Sequence, residues 1–394
     1  MADQSSDVII VGGGVMGCGA AWRLARAGHR VRLLEQFAIG HELGSSHGPS
    51  RMIRLAYDAP EYVEMGQAAF AMWDELQAAS GAALLLRTGG INAGLPHANE
   101  LAGVARTYDA LGVPYERLDP DELRRRFPQL TFPEGTIGLY QPDYGILAAS
   151  RCVAALAAQA RAEGAVLHEH VPAREIVPDG SGVTVHTARG VYRADRAILT
   201  AGSWAGPLLS ELGIDLPLTV LQEQLAYFRV RDPENHLPGR LPLVMHRFPA
   251  TTVLGSVFPI YDHEGIKVML DRLGPAVAPD NPDRAIDPAL LDTLRDYAAS
   301  LLPGTTGEIL ETTSCRYTMT PDEDFVIDRH PEFPQIVIGS PCSSHGFKFG
   351  PVVGQMLADL AIDGETAYPT APFRLDRPTL TTAWSPVEAA SHAS

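Results

Sequence analysis

Apolar positions along this chain follow two periods that alternate from one end to the other. Residues 8–11 form a fully apolar run of strand length, residues 20–27 carry a helical pattern, and residues 31–34 are apolar again. At about 60–80, Val63, Phe70, Trp73 and Leu76 fall on one stripe of a long helix. Residues 84–94 read as two short strands around Thr88-Gly89-Gly90, and a further helix covers about 99–111. Asp119, Pro120 and Glu122 supply an N-cap, a first-position proline and a capping-box acid, so a short helix starts there. After a strand at 137–140 the α/β pattern returns: a helix at 152–162, a strand at 166–168, a hairpin around 188–190, and a buried strand from Ala197 that ends at Gly202. From 217 to 270 apolar and polar residues alternate, which predicts antiparallel strands at 224–230, 243–245, 252–254 and 266–270. A helix capped by Asp287 and Pro288 runs to about Leu302, strands follow at 315–328 and 335–339, and a last helix covers about 351–362.

The first three segments have a specific chemistry. Gly12, Gly14 and Gly17 follow the first strand in GxGxxG spacing, a helix comes next, and the second strand delivers Glu35. The first glycine permits a tight turn, the second lets backbone approach a pyrophosphate, and the third packs helix on strand. The helix start attracts phosphate and the acid accepts from a ribose hydroxyl, so this unit predicts dinucleotide binding and leaves NAD or FAD open. Because the α/β pattern resumes at about Gly145, the nucleotide domain is expected to be discontinuous, with residues 1–85, 145–216 and 318–380 in it. Residues 86–144 and 217–317 then form an antiparallel-sheet substrate domain, and 381–394 a loose tail. The fold class is α/β plus α+β.

Composition changes this picture little. The chain has 394 residues, enough for two domains, and a net charge of −16, which disfavours nucleic acid and acidic membrane surfaces as partners. No apolar run is long enough for a membrane span, and the first residues lack a signal-peptide layout. Cys18, Cys152, Cys315 and Cys342 show no paired spacing, which predicts no disulfide framework, no metal site and a cytoplasmic location.

Four segments carry further candidate chemistry. Residues 44–54 combine small residues with His47, Ser50, Arg51 and Arg54, a setting for a carboxylate or an anionic ring. Lys267 alternates with apolar neighbours on a strand, and sheet patterning alone expects it in solvent. Cys315 and Tyr317 sit on another strand, where a single cysteine reads as a small buried hydrophobe. Ser343 to Gly350 is a glycine loop feeding a helix start, with Lys348 in it; His345 reads there as a loop residue.

Taken together these segments resemble the monomeric sarcosine oxidase and N-methyltryptophan oxidase family of D-amino-acid-oxidase-like flavoproteins. The resemblance runs nearly end to end and is most specific in GSSHGPSRMIRLAY (44–57), AGSW (201–204), CRYTMTPDEDFVID (315–328) and HGFKF (345–349). It implies an FAD-binding Rossmann-type domain interleaved with a substrate domain, and FAD attached through Cys315. It implies cofactor contacts from Gly12, Gly14, Val15, Met16, Gly17, Glu35, Gln36, Ser45, Ser46, Ser50, Arg51, Met52, Val171, Ala201, Gly202, Trp204, Gly346, Phe347 and Lys348. It implies that Arg54 and Lys348, with Tyr317, clamp a substrate carboxylate, that Lys267 activates oxygen, and that His47 and Arg51 lie beside the flavin. The implied reaction oxidises a secondary-amine amino acid and reduces O2 to hydrogen peroxide, in a monomer or small homo-oligomer.

Two positions depart from the sarcosine-oxidase pattern. Asp271 stands where that pattern has histidine, and Ser256 where it has tyrosine. Asp271 is therefore expected among the catalytic residues, holding a cationic or hydrogen-bonding group, and Ser256 enlarges the substrate site. A larger N-alkyl, cyclic or fructosyl amino acid fits that site better than sarcosine. A flavin dehydrogenase or monooxygenase with another electron acceptor is the alternative reading.

Overall fold

The computed structural model describes residues 5–96, 99–248, 253–340 and 343–381. Two large sheets and one small one organise it. In the first sheet the strands Val166–His168, Val31–Leu34, Ser5–Val11, Gly190–Leu199 and Ile336–Ser340 lie side by side and parallel. Central parallel strands are covered on both faces, which is why residues 8–11 read as an unbroken apolar run. The hairpin Ala173–Asp179 and Gly182–Thr187 extends the sheet beside Gly190–Leu199, and Val326–Arg329 pairs antiparallel with Ile336–Ser340. Helices Val15–Arg26, Ala149–Ala162 and Gly350–Ile362 pack together over this sheet. The first and last of them cross at glycines. A Cβ on Gly354 would lie 2.5 Å from the backbone of Gly19, and one on Gly19 would lie 2.8 Å from the carbonyl oxygen of Gly350.

The second sheet has eight strands. In spatial order they are Thr305–Met319, Thr219–Val230, Ile266–Leu270, Leu254–Phe258, Leu243–Arg247, Gly90–Gly94, Ile137–Gln141 and Glu116–Leu118. All neighbours are antiparallel except Leu243–Arg247 with Gly90–Gly94. One face presents Ala226, Phe228, Ile266, Val268, Val257 and Val244 to Leu294, Tyr297 and Leu301 of helix Pro288–Leu301. With a side-chain period of two, the other face presents Tyr227, Lys267, Phe258, Leu225, Met269, Ser256 and Met245 toward the nucleotide domain. A three-stranded sheet of Arg51–Ile53, Gly145–Leu147 and Leu85–Arg87 lies where the chain passes between the two large sheets.

Several local expectations change. The two strands read at 84–94 do not pair with each other: Leu85–Arg87 joins the small sheet and Gly90–Gly94 the large one. The segment 315–328 is the end of a 15-residue strand, Thr305–Met319, followed by a turn and the separate strand Val326–Arg329. Its polar first half, Thr305 to Thr313, lacks the apolar alternation that marks a half-buried strand, because it lies at the sheet edge. The strand expected at 252–254 begins at Leu254; Thr252, Cys342 and residues 382–394 of the tail lie outside the described residues. Among the described residues no helix is long and apolar enough to cross a membrane.

Candidate functional site

Two cavities meet between the large sheets. The first follows the nucleotide sheet's carboxyl edge and is lined by Gly12 to Met16, Glu35, Gln36, Ser45, Ser46, Ala201, Gly202, Trp204, Gly346 and Phe347, among others. Its floor is bare backbone. Gly12 has φ +108°, and a Cβ there would lie 2.4 Å from the carbonyl oxygen of Thr200, so only glycine fits this turn. A Cβ on Gly17 would lie 1.9 Å from the carbonyl oxygen of Gly12, so the third glycine closes the turn itself. The helix beginning at Val15 has no side-chain cap at Gly14; the Val15 N–H donates to Ser46 Oγ at 3.2 Å. Buried Glu35 accepts from Gly13 N–H at 2.7 Å and from Phe37 N–H at 2.8 Å, which fixes its carboxylate at the cavity wall. Val171, expected here, lines neither cavity; its N–H donates to the Glu35 carbonyl oxygen at 2.8 Å and its side chain packs in the core.

The second cavity, about 440 Å³, opens from the first, and Arg51, Tyr317, Ser344 and Phe347 line both. It also contains Met52, Arg54, Ser256, Lys267, Asp271, Cys315 and Lys348, so seven distant candidates share one wall system. Sheet register explains the gathering. Lys267 lies opposite Tyr227 and Phe258, Met269 opposite Leu225 and Ser256, and Cys315 opposite Glu223. Residues directly opposite in a ladder share a face, so one face carries them all.

Two cations occupy the far side. Arg54 is buried, lies 4.1 Å over the Tyr57 ring and donates to the Ala56 carbonyl. Lys348 is buried, donating to Tyr57 Oη at 2.9 Å and to the His345 carbonyl oxygen at 2.5 Å. Neither makes an ion pair with a carboxylate among the described residues. Burial, and then the nearby Arg54 charge, pushes the Lys348 ammonium well below its ordinary pKa. A ligand carboxylate is the group that would relieve this.

Lys267 is buried rather than in solvent, which corrects the pattern-based expectation: the sheet face it occupies packs against the nucleotide domain. Its Nζ donates to the Ser50 carbonyl oxygen at 3.1 Å and to Ser50 Oγ at 3.2 Å, and lies 4.3 Å over the Phe258 ring. Burial first, then Arg51, lowers its pKa to about 7. The Cys315 thiol is free and buried, and burial raises its pKa while Arg51 and Lys267 oppose the rise. Ser50 and His47 stand behind the cavity wall. His47 is buried with Nε2 unpartnered among the described residues, and burial lowers its pKa to about 4. Asp271 is partly buried, accepts from Leu254 N–H at 2.9 Å, and has its pKa raised mainly by desolvation. Tyr317 is raised well above its ordinary value by burial.

Sequence patterns missed several residues of the second cavity. His345, read as a loop residue, is held between Tyr57 Oη at 3.1 Å and the Glu323 carbonyl oxygen at 3.1 Å, and lines the cavity. Arg247 pairs with Glu100, and Arg272 pairs with Glu323 at 2.7 Å. The alternation through Met245 and Arg247 was the available signal, since both share the face of Ser256.

The family model described as FAD dependent oxidoreductase (DAO) matches residues 7–360. Monomeric sarcosine oxidase of Streptomyces avermitilis is 36% identical over 377 residues, covering 93% of this chain and 96% of that protein. Peroxisomal sarcosine oxidase of Homo sapiens is 34% identical over 380 residues, covering 94% and 96%. Among solved structures, the open form of NikD, an unusual amino acid oxidase essential for nikkomycin biosynthesis, aligns with TM-score 0.82 at 28% identity. That alignment covers 94% of this chain and 97% of NikD.

Proposed function

The chain belongs to the DAO family of FAD-dependent oxidoreductases, and on that premise we propose that it oxidises a secondary-amine amino acid, N-methyl or cyclic, with O2 as electron acceptor. The observation that carries this reading is the pair Arg54 and Lys348, buried in one cavity without a carboxylate partner among the described residues and across from buried Lys267. The first cavity suits FAD on its own chemistry. Its glycine floor has no room for side chains, its helix start lacks a cap, and Glu35 faces where a ribose would bind. When bound, FAD supplies the two-electron acceptor for the C–H bond beside the substrate nitrogen.

The residues of the chain divide the remaining work. Arg54 and Lys348 bind the substrate carboxylate, and Tyr317 borders it; together they orient the amine toward the junction of the two cavities. Asp271 offers an acceptor for the amine proton, whose loss frees the nitrogen lone pair. Lys267 supplies a buried ammonium that stabilises the negative charge developing as oxygen is reduced to hydrogen peroxide. Arg51, His47 and Ser50 hold the wall between the cavities, and Cys315 is the residue to which the flavin attaches. Half-buried Ser256 leaves space for a substrate larger than sarcosine. Free cysteines suit a cytoplasmic enzyme, acting as a monomer or small homo-oligomer.

A peroxide-release screen over sarcosine, N-methyl, cyclic and fructosyl amino acids tests the proposal. Release is expected with a secondary-amine amino acid larger than sarcosine and not with its esters, which lack the carboxylate. Equal turnover of acid and ester would reject the carboxylate clamp, and reduction of the flavin without peroxide would reject oxygen as acceptor.

A further inference from the structure

Glu223 is a buried acid that no step above uses. It lies on strand Thr219–Val230 directly opposite Cys315, so its side chain points to the face that lines the second cavity. Among the described residues its carboxylate makes no ion pair. Oε2 accepts from Leu273 N–H at 3.3 Å and Oε1 from Gly274 N–H at 3.2 Å, the two residues that follow Asp271 and Arg272. The turn is pressed against the strand at the same place, since a Cβ on Gly274 would lie 2.1 Å from the Gln222 carbonyl oxygen.

This turn carries Asp271 and Arg272, which line the second cavity. Arg272 has φ +67°, and Glu323, with which it pairs at 2.7 Å, has φ +65°. Non-glycine residues rarely hold the left-handed region unless surrounding contacts over-determine it, and such residues concentrate at ligand sites. Here the contacts include the hydrogen bonds from Leu273 and Gly274 to Glu223 and the Arg272–Glu323 pair. From the other sides Asp271 meets the Leu254 N–H, Arg247, Arg272 and Glu323, while Glu223 meets Asp271 and Cys315.

We infer that Glu223 is a positioning residue that holds Asp271 and Arg272 where they meet the substrate's amine and side chain. The inference rests on the proposed carboxylate clamp and on Asp271 facing the amine, and it adds a residue that acts only through the 271–274 turn. Burial, then the Asp271 charge, raises the Glu223 pKa to about 7, which agrees with two carboxyls side by side. It also separates two contributions to binding. Arg54 and Lys348 lie on other elements, so losing Glu223 should leave carboxylate recognition alone and weaken amine recognition.

The test compares pipecolate with cyclohexanecarboxylate, the same ring without the amine, on FAD-loaded protein. Pipecolate is followed by anaerobic flavin bleaching, and cyclohexanecarboxylate by the change it causes in the flavin spectrum. Glu223→Ala should raise the pipecolate concentration for half-maximal bleaching by about tenfold and shift the cyclohexanecarboxylate Kd by less than about twofold. Glu223→Gln keeps an acceptor for one N–H and should recover most of the loss, while Asp271→Asn should reproduce the alanine variant. Equal weakening of both ligands, or no change for pipecolate while Asp271→Asn is impaired, would overturn the positioning role. Asp271→Asn matching the parent, or a parent that pipecolate does not bleach, would overturn the reading beneath it, and the inference would fall with it.

Discussion

At the scale of single residues, burial of charge decides more than pairing does. Lys267 and Lys348 are held by hydrogen bonds they donate to neutral oxygens, so each site is poised for an anion or developing negative charge. Lys267→Met should slow reoxidation of the reduced enzyme by about 10²–10³ and leave flavin reduction by substrate within a few-fold in stopped-flow traces. Equal slowing of both half-reactions would reject its assigned role. Buried histidines act the opposite way. His47 and His246 each have a pKa lowered to about 4, chiefly by burial, against 6.5 when exposed. The unfolded chain then binds protons between those values and the folded chain does not. The contribution of these histidines is therefore full above pH 6.5 and falls as pH drops toward 4, by about 3 kcal/mol for each when fully titrated. His246 packs against Phe248, Phe132 and Tyr297, away from the cavities. His246→Leu should narrow the gap between melting temperatures at pH 7.5 and 5; an unchanged gap would remove His246 from the acid response.

At the scale of elements, the nucleotide half depends on how closely helix Val15–Arg26 approaches helix Gly350–Ile362. The two backbones touch at Gly19, Gly350 and Gly354, leaving no room for a methyl group. Gly354→Ala should destabilise by about 1–3 kcal/mol through overpacking. It should also weaken FAD retention, because it displaces the helix start beneath the first cavity; FAD content after dialysis, measured beside the melting curve, checks this. The three glycines of the crossing are visible in the sequence, but their meeting is not. The fingerprint Gly12, Gly14, Gly17 was legible because strand, turn, helix and acid lie within one local unit whose spacing is set by backbone geometry. The capping box at Asp119 and Glu122 was legible for the same reason, and both of its hydrogen bonds form. The strand break at 320–325 was not, since Thr320 Oγ1 and Ser343 Oγ, 23 residues apart, secure that turn by a hydrogen bond of 2.8 Å.

At the scale of the whole molecule, the eight-stranded sheet brings Lys267 and Cys315 to one face, and the nucleotide domain covers that face. The covered side is the junction of two cavities, shared by Arg51, Tyr317, Ser344 and Phe347. Cys315 lines the second cavity two residues from Tyr317 of that junction, and on the proposed attachment Cys315→Ala should yield protein whose yellow colour is lost to the supernatant on acid precipitation. In the parent, the colour should stay with the pellet. Colour in both supernatants would reject attachment at Cys315 while leaving FAD binding intact.

The sequence by itself determined the dinucleotide unit, the alternation of α/β and antiparallel segments, and the membership of Arg54, Lys267, Cys315 and Lys348 in a recognisable set. Each depends on local periodicity or on residues adjacent in the chain. Tertiary structure alone decided that Lys267 is buried rather than solvated, that Val171 stands behind Glu35, and that Glu223 holds the Asp271 turn. Those outcomes depend on which face of a sheet another domain covers, and a period of two supplies both faces without saying which is inside.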